Sequence, residues 1–239
     1  MQNYIFFNIP TTCNVGNTIY KKTFYENADL SSADKKLFTD NIKKISWLYC
    51  LKPETINIRA YKDDIREYPE IEVIEVDIEK DTKLRRIAEI IMRTIPYPML
   101  LFFKLEDKIQ IYVAHQRVNQ NDNSKNILEE FICTDWLNRD SLLFEKLDIK
   151  QMRFTNFYVL YSDIVDAISV YNVSNIISTS FPITGMEARK LSLAIETLEI
   201  EISNLRSKLK KETQFNRKME LNIKIKSLEK EKTNLLGGI

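Results

Sequence analysis

Five carboxylates occur within residues 70–79, where charged and apolar side chains alternate, and four of them are candidate metal ligands: Glu72, Glu75, Asp77 and Glu79. This alternation predicts a strand and places Glu75, Asp77 and Glu79 on one face. Metal-dependent nucleases hold Mg²⁺ with such carboxylates, while a lysine steadies the attacking water. No lysine follows an acid by two residues on that face. The competing interpretation is that the acids solvate an edge strand and prevent unwanted pairing.

Histidine and cysteine are too few and too far apart for the usual zinc or nucleophilic sites. The cysteines are Cys13, Cys50 and Cys133, and His115 is the sole histidine. A lone histidine in the strand-like run 109–118 is expected to be packed rather than to act as a base. Four glycines in the whole chain leave no clustered loop for a nucleotide phosphate. We therefore expect no metal and no cofactor.

Cations cluster near residue 214, where Lys210, Lys211, Arg217 and Lys218 are candidates for contact with nucleic acid. The net charge of +1 provides no global field for nucleic acid, so such contact requires a local patch. Interspersed glutamates favour the alternative, a solvated helix face. Weak DNA binding, independent of sequence and sensitive to salt, is the most that this patch predicts.

The elements that must position these residues follow from hydrophobic periodicity and from capping and turn residues. In chain order, the patterns predict a helix over 32–52, strands over 55–60 and 70–79, a helix over 82–94, strands over 99–104 and 108–115, a loop over 119–125 and a helix over 154–170. A hairpin at Glu106 and Asp107 joins the last two strands, although it lacks a glycine.

After residue 186, apolar residues recur at alternating spacings of four and three, which predicts a coiled coil. These seam residues are Leu191, Ile195, Leu198, Ile202, Leu205, Leu209 and, after a polar interval, Leu221, Ile225 and Leu228. The interval favours a hairpin of two antiparallel helices; one continuous helix with a stutter is the alternative. We expect another protein or a second copy to complete the seam, because two helices of about 20 residues do not bury it fully.

The predicted fold class is α+β: an N-terminal mixed α/β sheet domain over residues 1–178 and a C-terminal α-helical coiled-coil hairpin over 186–239. Pro182 and Gly185 mark the boundary between them. Apolar runs stay well below the ~18 residues of a membrane span, and no basic segment precedes the short apolar start. The expected location is therefore the cytoplasm, without a membrane contact.

Four segments carry a resemblance to a known family: Asp40–Ile58, Ile71–Val76, Ile95–Pro98 and the tail segment Lys211–Asn222. They resemble the bacterial domain of unknown function 4391. That family has no assigned activity, so the resemblance implies no catalytic residue. It implies a context in which such proteins are encoded beside helicase-like ATPases and DNA methyltransferases in restriction or phage-defence islands. At His115 we would expect a non-ionisable residue in this family, which weakens any histidine-based mechanism.

Two functions stay open. The first is a non-catalytic accessory subunit of a bacterial anti-phage or restriction-modification type system, whose coiled coil docks a helicase-like ATPase, a methyltransferase or a second copy. The second is a divergent metal-dependent nuclease using Glu72, Glu75, Asp77 and Glu79. An exposed edge with no cleft and no basic neighbour around these acids would remove the support for the nuclease.

Overall fold

The computed structural model describes residues 7–119, 126–176 and 183–237. Internal contacts divide the chain into two compact units, Met1–Ile168 and Ser169–Ile239. Within the described residues, every helix is too short or too polar to span a bilayer. The predicted loop over 119–125 and the predicted boundary near Pro182 fall largely outside the described residues.

The helices and strands of the described residues are, in chain order, β1 (Asn14–Ile19), α1 (Lys21–Asn27), α2 (Ser32–Asn41), β2 (Ile42–Leu51), α3 (Pro53–Ile56), β3 (Tyr61–Lys62), β4 (Glu67–Tyr68), β5 (Ile71–Ile78), α4 (Leu84–Thr94), β6 (Met99–Leu105), β7 (Lys108–Val118), β8 (Asn126–Cys133), α5 (Leu142–Lys146), α6 (Phe157–Ile176), α7 (Gly185–Lys211) and α8 (Phe215–Gly237). The predicted mixed sheet followed by C-terminal helices is confirmed at this level.

Six strands form one mixed sheet in the order β1-β2-β5-β6-β7-β8. Neighbouring strands are antiparallel except β5 and β6, which are parallel. A parallel pair needs a crossover connection, and α4 provides it. The apolar residues of α4, including Ile87 and Ile91, pack on Ile74, Val76 and Ile78 of β5. The predicted strand over 70–79 and helix over 82–94 are confirmed.

The predicted helix over 32–52 is wrong in its second half. The hydroxyl of Ser31 accepts from the amide of Asp34, whose carboxylate accepts from the amide of Ser31, so α2 begins as predicted. It ends at Asn41, and β2 follows without a loop. The run Ile42–Leu51 pairs with strands on both sides. Its β-branched and aromatic residues suit a strand, and this pairing overrides the helical spacing of the apolar residues.

The predicted strand over 55–60 is also wrong, since the short helix α3 occupies its beginning. Pro53 is its first residue, a position where the missing amide hydrogen costs nothing. Asn57 ends the helix in the left-handed conformation with φ of 54°. The hairpin between β6 and β7 is confirmed, and Glu106 adopts φ of 55° in place of a glycine.

The hydroxyl of Tyr161, on α6, joins two strands of the sheet where their pairing ends. Its single proton is shared between the carbonyl oxygens of Met99 at 2.8 Å and Ala114 at 3.1 Å, and its oxygen accepts from the amide of Ala114 at 3.0 Å. The Tyr161 side chain is fully buried, so no water replaces these bonds. One side chain therefore fixes α6 to β6 and β7.

Replacing Tyr161 by Phe should lower the free energy of unfolding by about 1–3 kcal/mol, because buried backbone groups lose their partner. Urea unfolding followed by the fluorescence of Trp47 and Trp136 measures this, since both tryptophans lie in the first unit. Tyr20→Phe is the control, because its side chain is 73% exposed. Equal stability of the two variants would show that the Tyr161 hydroxyl is dispensable.

The second unit contains two long helices, α7 and α8, separated by residues 212–214. One continuous helix was the alternative prediction, and it is wrong. Ion pairs join Glu199 to Lys232 and Arg206 to Glu229, so residues later in α7 face residues earlier in α8 and the helices run antiparallel.

Candidate functional site

The acidic strand β5 lies in the interior of the sheet, between β2 and β6, and not at its edge. The interpretation of its acids as edge-solvating residues is therefore wrong. Ile71, Val73, Ile74, Val76 and Ile78 are all buried, so both faces of β5 are covered. A strand in this position needs no charges to prevent pairing with another chain. The acids of β5 require individual explanations.

Glu75 and Asp77 alternate with buried residues of β5 and so share one face of the strand, whereas Glu79 lies just beyond it. Asp77 and Glu79 each meet a lysine. Asp77 lies 3.3 Å from the ammonium of Lys104, which the parallel strand β6 supplies in direct register. Glu79, just beyond the strand, lies 3.5 Å from the ammonium of Lys43 on β2. Glu75, partly buried, is aligned with Ser46. The structure thus provides the acid–lysine pair that the sequence pattern lacked.

Glu72 belongs to the opposite face of β5 and is 2% exposed. The indole nitrogen of Trp47 donates to its Oε2 at 2.5 Å. Burial, opposed by this hydrogen bond, and the nearby charge of Glu70 raise the pKa of Glu72 to about 8. The four predicted metal ligands therefore do not converge, because one of them is on the other side of the sheet.

Among the described residues, one group of acidic, histidine and cysteine side chains places three ligand atoms within 4.8 Å of one another: Cys50, Glu70 and Glu72. The thiol of Cys50 lies 3.5 Å from Oε2 of Glu70. Burial, reinforced by both carboxylates, raises the pKa of this thiol, so it stays protonated and is a poor nucleophile. Cys50 and Glu72 therefore both favour their protonated, uncharged forms.

The sequence pattern does not indicate this cluster, because it predicts a helix over 32–52 and so places Cys50 at the end of a helix. In the structure Cys50 is on β2, in register with Glu72 of β5. The change from helix to strand is what brings the thiol to the carboxylates.

His115 is packed, as predicted. It is 2% exposed, and its Nδ1 lies 2.8 Å from the hydroxyl of Tyr68, which is buried completely. Its Nε2 lies 4.0 Å from a carboxylate oxygen of Glu130. The rings of Tyr158 and Tyr161 lie within 5.5 Å of the imidazole, measured between centroids. The histidine is one member of a buried aromatic cluster.

The predicted partner-binding seam is largely buried within the chain itself. Its members on α7 from Leu191 to Leu205 are at most 8% exposed, and Ile225 on α8 is 6% exposed. Leu209, Leu221 and Leu228 are partly buried against them. Seam residues that already contact each other leave less surface for a partner.

The cations near residue 214 line two clefts. Lys211 and Arg217 line a cleft of about 540 Å³ together with Lys208, Lys224 and other residues. Lys210 lines a different cleft, of about 420 Å³, with Arg206 and Lys232. Lys218 is exposed on α8. The four residues predicted to contact nucleic acid are therefore divided between separate surfaces.

The sequence model of a family described as a domain of unknown function, DUF4391, matches residues 7–231. The chain belongs to the DUF4391 family. No curated protein and no solved structure matches it. Membership in DUF4391 covers both units, and it assigns no activity to the acidic strand or to the C-terminal helices.

In this DUF4391 protein, Glu72 should make stability depend on pH. A carboxyl whose folded-state pKa is raised binds its proton more tightly in the folded state than in the unfolded state. The stability that protonated Glu72 contributes is therefore fully present below its ordinary pKa of 4.5, and it is lost as the pH rises toward about 8. Glu72→Gln keeps an acceptor for Trp47 without the charge, so it should remove about 2–4 kcal/mol of this loss.

Thermal unfolding followed by circular dichroism at pH 5 and pH 8 measures this difference between the wild-type protein and the variant. Glu79→Gln is the control, since this side chain is 53% exposed on the same segment. Parallel pH profiles for Glu72→Gln and the wild type would contradict the raised pKa.

Proposed function

We propose that this protein is a non-catalytic accessory subunit that docks a protein partner through its C-terminal helices. The partner is a helicase-like ATPase or a DNA methyltransferase of a bacterial anti-phage or restriction-modification type system. The observation that carries the proposal is an apolar stripe on α8 that faces away from α7. It consists of Met219 and Ile223, which are 49% and 64% exposed.

The contact between α7 and α8 supports this role. The heptad residues of α7 are buried, and charged pairs flank them, as coiled coils require. The pair Glu201–Lys224, at 2.9 Å, adds a third ion pair between the helices. With the seam satisfied inside the chain, the helix pair is a preformed rod whose outer residues are available for binding.

The stripe is positioned for a partner helix. Ile223 lies two residues after the seam residue Leu221, which places it on the outer side of α8. Met219 precedes it by one helical turn and adds an adaptable apolar surface. Two exposed apolar residues at this spacing are a small anchor for a second amphipathic helix.

Charge substitutions in this stripe should weaken the complex without unfolding the protein. We expect Met219→Lys with Ile223→Lys to lower recovery of the partner at least tenfold when the chain is co-expressed with the helicase-like ATPase or methyltransferase encoded beside it. Affinity purification under equal expression measures this recovery. Ile200→Lys is the matched control, because Ile200 is 45% exposed on α7, two residues after the seam residue Leu198.

Circular dichroism should show equal helix content for all these variants. A double variant that keeps full recovery of the partner, or a control that loses it equally, would mean that the stripe is not the docking surface.

A metal-dependent nuclease remains the second candidate, because Lys104 lies beside Asp77 in the structure. A lysine next to a carboxylate is an arrangement used to steady the attacking water at a bound Mg²⁺. Against this candidate, Glu72 is on the opposite face, and Asp77 and Glu79 already form ion pairs with lysines. The acids are thereby partly neutralised rather than left to a metal.

We expect the isolated chain to leave DNA intact. Incubation of duplex and single-stranded DNA with the protein and Mg²⁺ or Mn²⁺, followed by denaturing electrophoresis, tests this. The Asp77→Asn variant is assayed in parallel to identify a contaminating nuclease. Cleavage by the wild type that disappears in Asp77→Asn would establish the acidic strand as an active site and refute the accessory function.

A further inference from the structure

Positive charge is concentrated where α7 ends and α8 begins. Residues 206–218 contain six cations and one carboxylate, although the whole chain carries a net charge of only +1. Lys208, Lys211 and Arg217 are exposed. Within the described part of the chain, no carboxylate oxygen lies within 4.0 Å of these three side chains. Their charges are available to a ligand in solution.

These cations surround a concave surface. The cleft of about 540 Å³ is lined by Lys208, Lys211, Glu212, Arg217, Glu220, Leu221 and Lys224. The carboxylate of Glu212 accepts from the amides of Thr213 and Gln214 at 2.8 and 2.9 Å, so it is directed toward its own backbone. The ammonium of Lys224 is held by Glu201. Lys208, Lys211 and Arg217 are thus the cations of this cleft that form no salt bridge within the described residues, although the carboxylates of Glu212 and Glu220 line the same cleft.

An aromatic ring stands beside the cations. Phe215 is the first residue of α8, two positions before Arg217, and it is 73% exposed. It belongs to none of the apolar clusters that hold α7 and α8 together. An exposed phenyl ring interacts poorly with water. A nucleic-acid base of any of the four types stacks on it favourably.

We propose that this tip, defined by Lys208, Lys211, Phe215 and Arg217, binds single-stranded nucleic acid. The cations contact successive phosphates, and one unpaired base stacks on Phe215. A duplex satisfies the phosphate contacts but keeps its bases stacked inside the helix, so Phe215 adds nothing to duplex binding. Phe215 lies one helical turn before Met219, so the tip adjoins the Met219 and Ile223 stripe on α8. The proposal does not depend on a protein partner.

Fluorescence anisotropy with the full-length protein tests the proposal. The probes are a labelled oligothymidylate and a labelled duplex of similar length, titrated at several salt concentrations. Contacts with three phosphates predict a slope of about −2 for log K against log salt concentration on the single strand. Oligothymidylate should bind more tightly than the duplex.

Single substitutions separate stacking from charge. Phe215→Ala should weaken binding of oligothymidylate about fivefold to a hundredfold and leave duplex binding unchanged, since stacking on a base contributes on this scale. Phe215→Tyr should retain binding. Ile200→Ala, an apolar residue that is 45% exposed on α7, is the control and should have no effect. Lys211→Glu with Arg217→Glu should weaken both probes.

Three results would overturn the proposal: equal affinity for the two probes, an unchanged affinity of Phe215→Ala for oligothymidylate, or a salt slope near zero. Competition with polyglutamate tests whether the tip binds acidic protein segments instead of nucleic acid. If polyglutamate displaces oligothymidylate as well as unlabelled oligothymidylate does, the tip recognises acidic protein segments and not nucleic acid.

Discussion

Burial of β5 on both faces is the constraint from which the chemistry of the first unit follows. Its apolar residues pack on α4 on one side, and β2 and β6 take up its backbone hydrogen bonds. Every polar side chain on this strand must therefore be neutralised by a neighbour or keep its proton. Asp77 is neutralised by Lys104, and Glu72 keeps a proton beside Glu70 and Trp47.

The parallel pairing of β5 with β6 decides which groups meet. It aligns Asp77 with Lys104, two residues that are 27 positions apart in the sequence. The antiparallel pairing of β5 with β2 aligns Glu72 with Cys50 in the same way. The acids of one short sequence run consequently enter different environments, which argues against a metal centre shared by all four.

The helices of the second unit have two exposed surfaces that could bind other molecules. The apolar seam is satisfied within the chain, and this leaves the outer residues Met219 and Ile223 and the tip around Phe215 exposed. A rod whose stability does not depend on a partner presents both surfaces without refolding. The protein partner and the nucleic acid would therefore contact adjacent parts of the same helix pair.

The sequence by itself determined the strand over 70–79, the helix over 82–94, the β6–β7 hairpin and the heptad spacing of the C-terminal helices, because hydrophobic periodicity and turn residues are local. It also determined that His115 is packed. Tertiary structure decided that Ile42–Leu51 is a strand, that β5 is interior and that Lys104 meets Asp77. Strand order and register depend on pairing between distant segments, which no local spacing encodes.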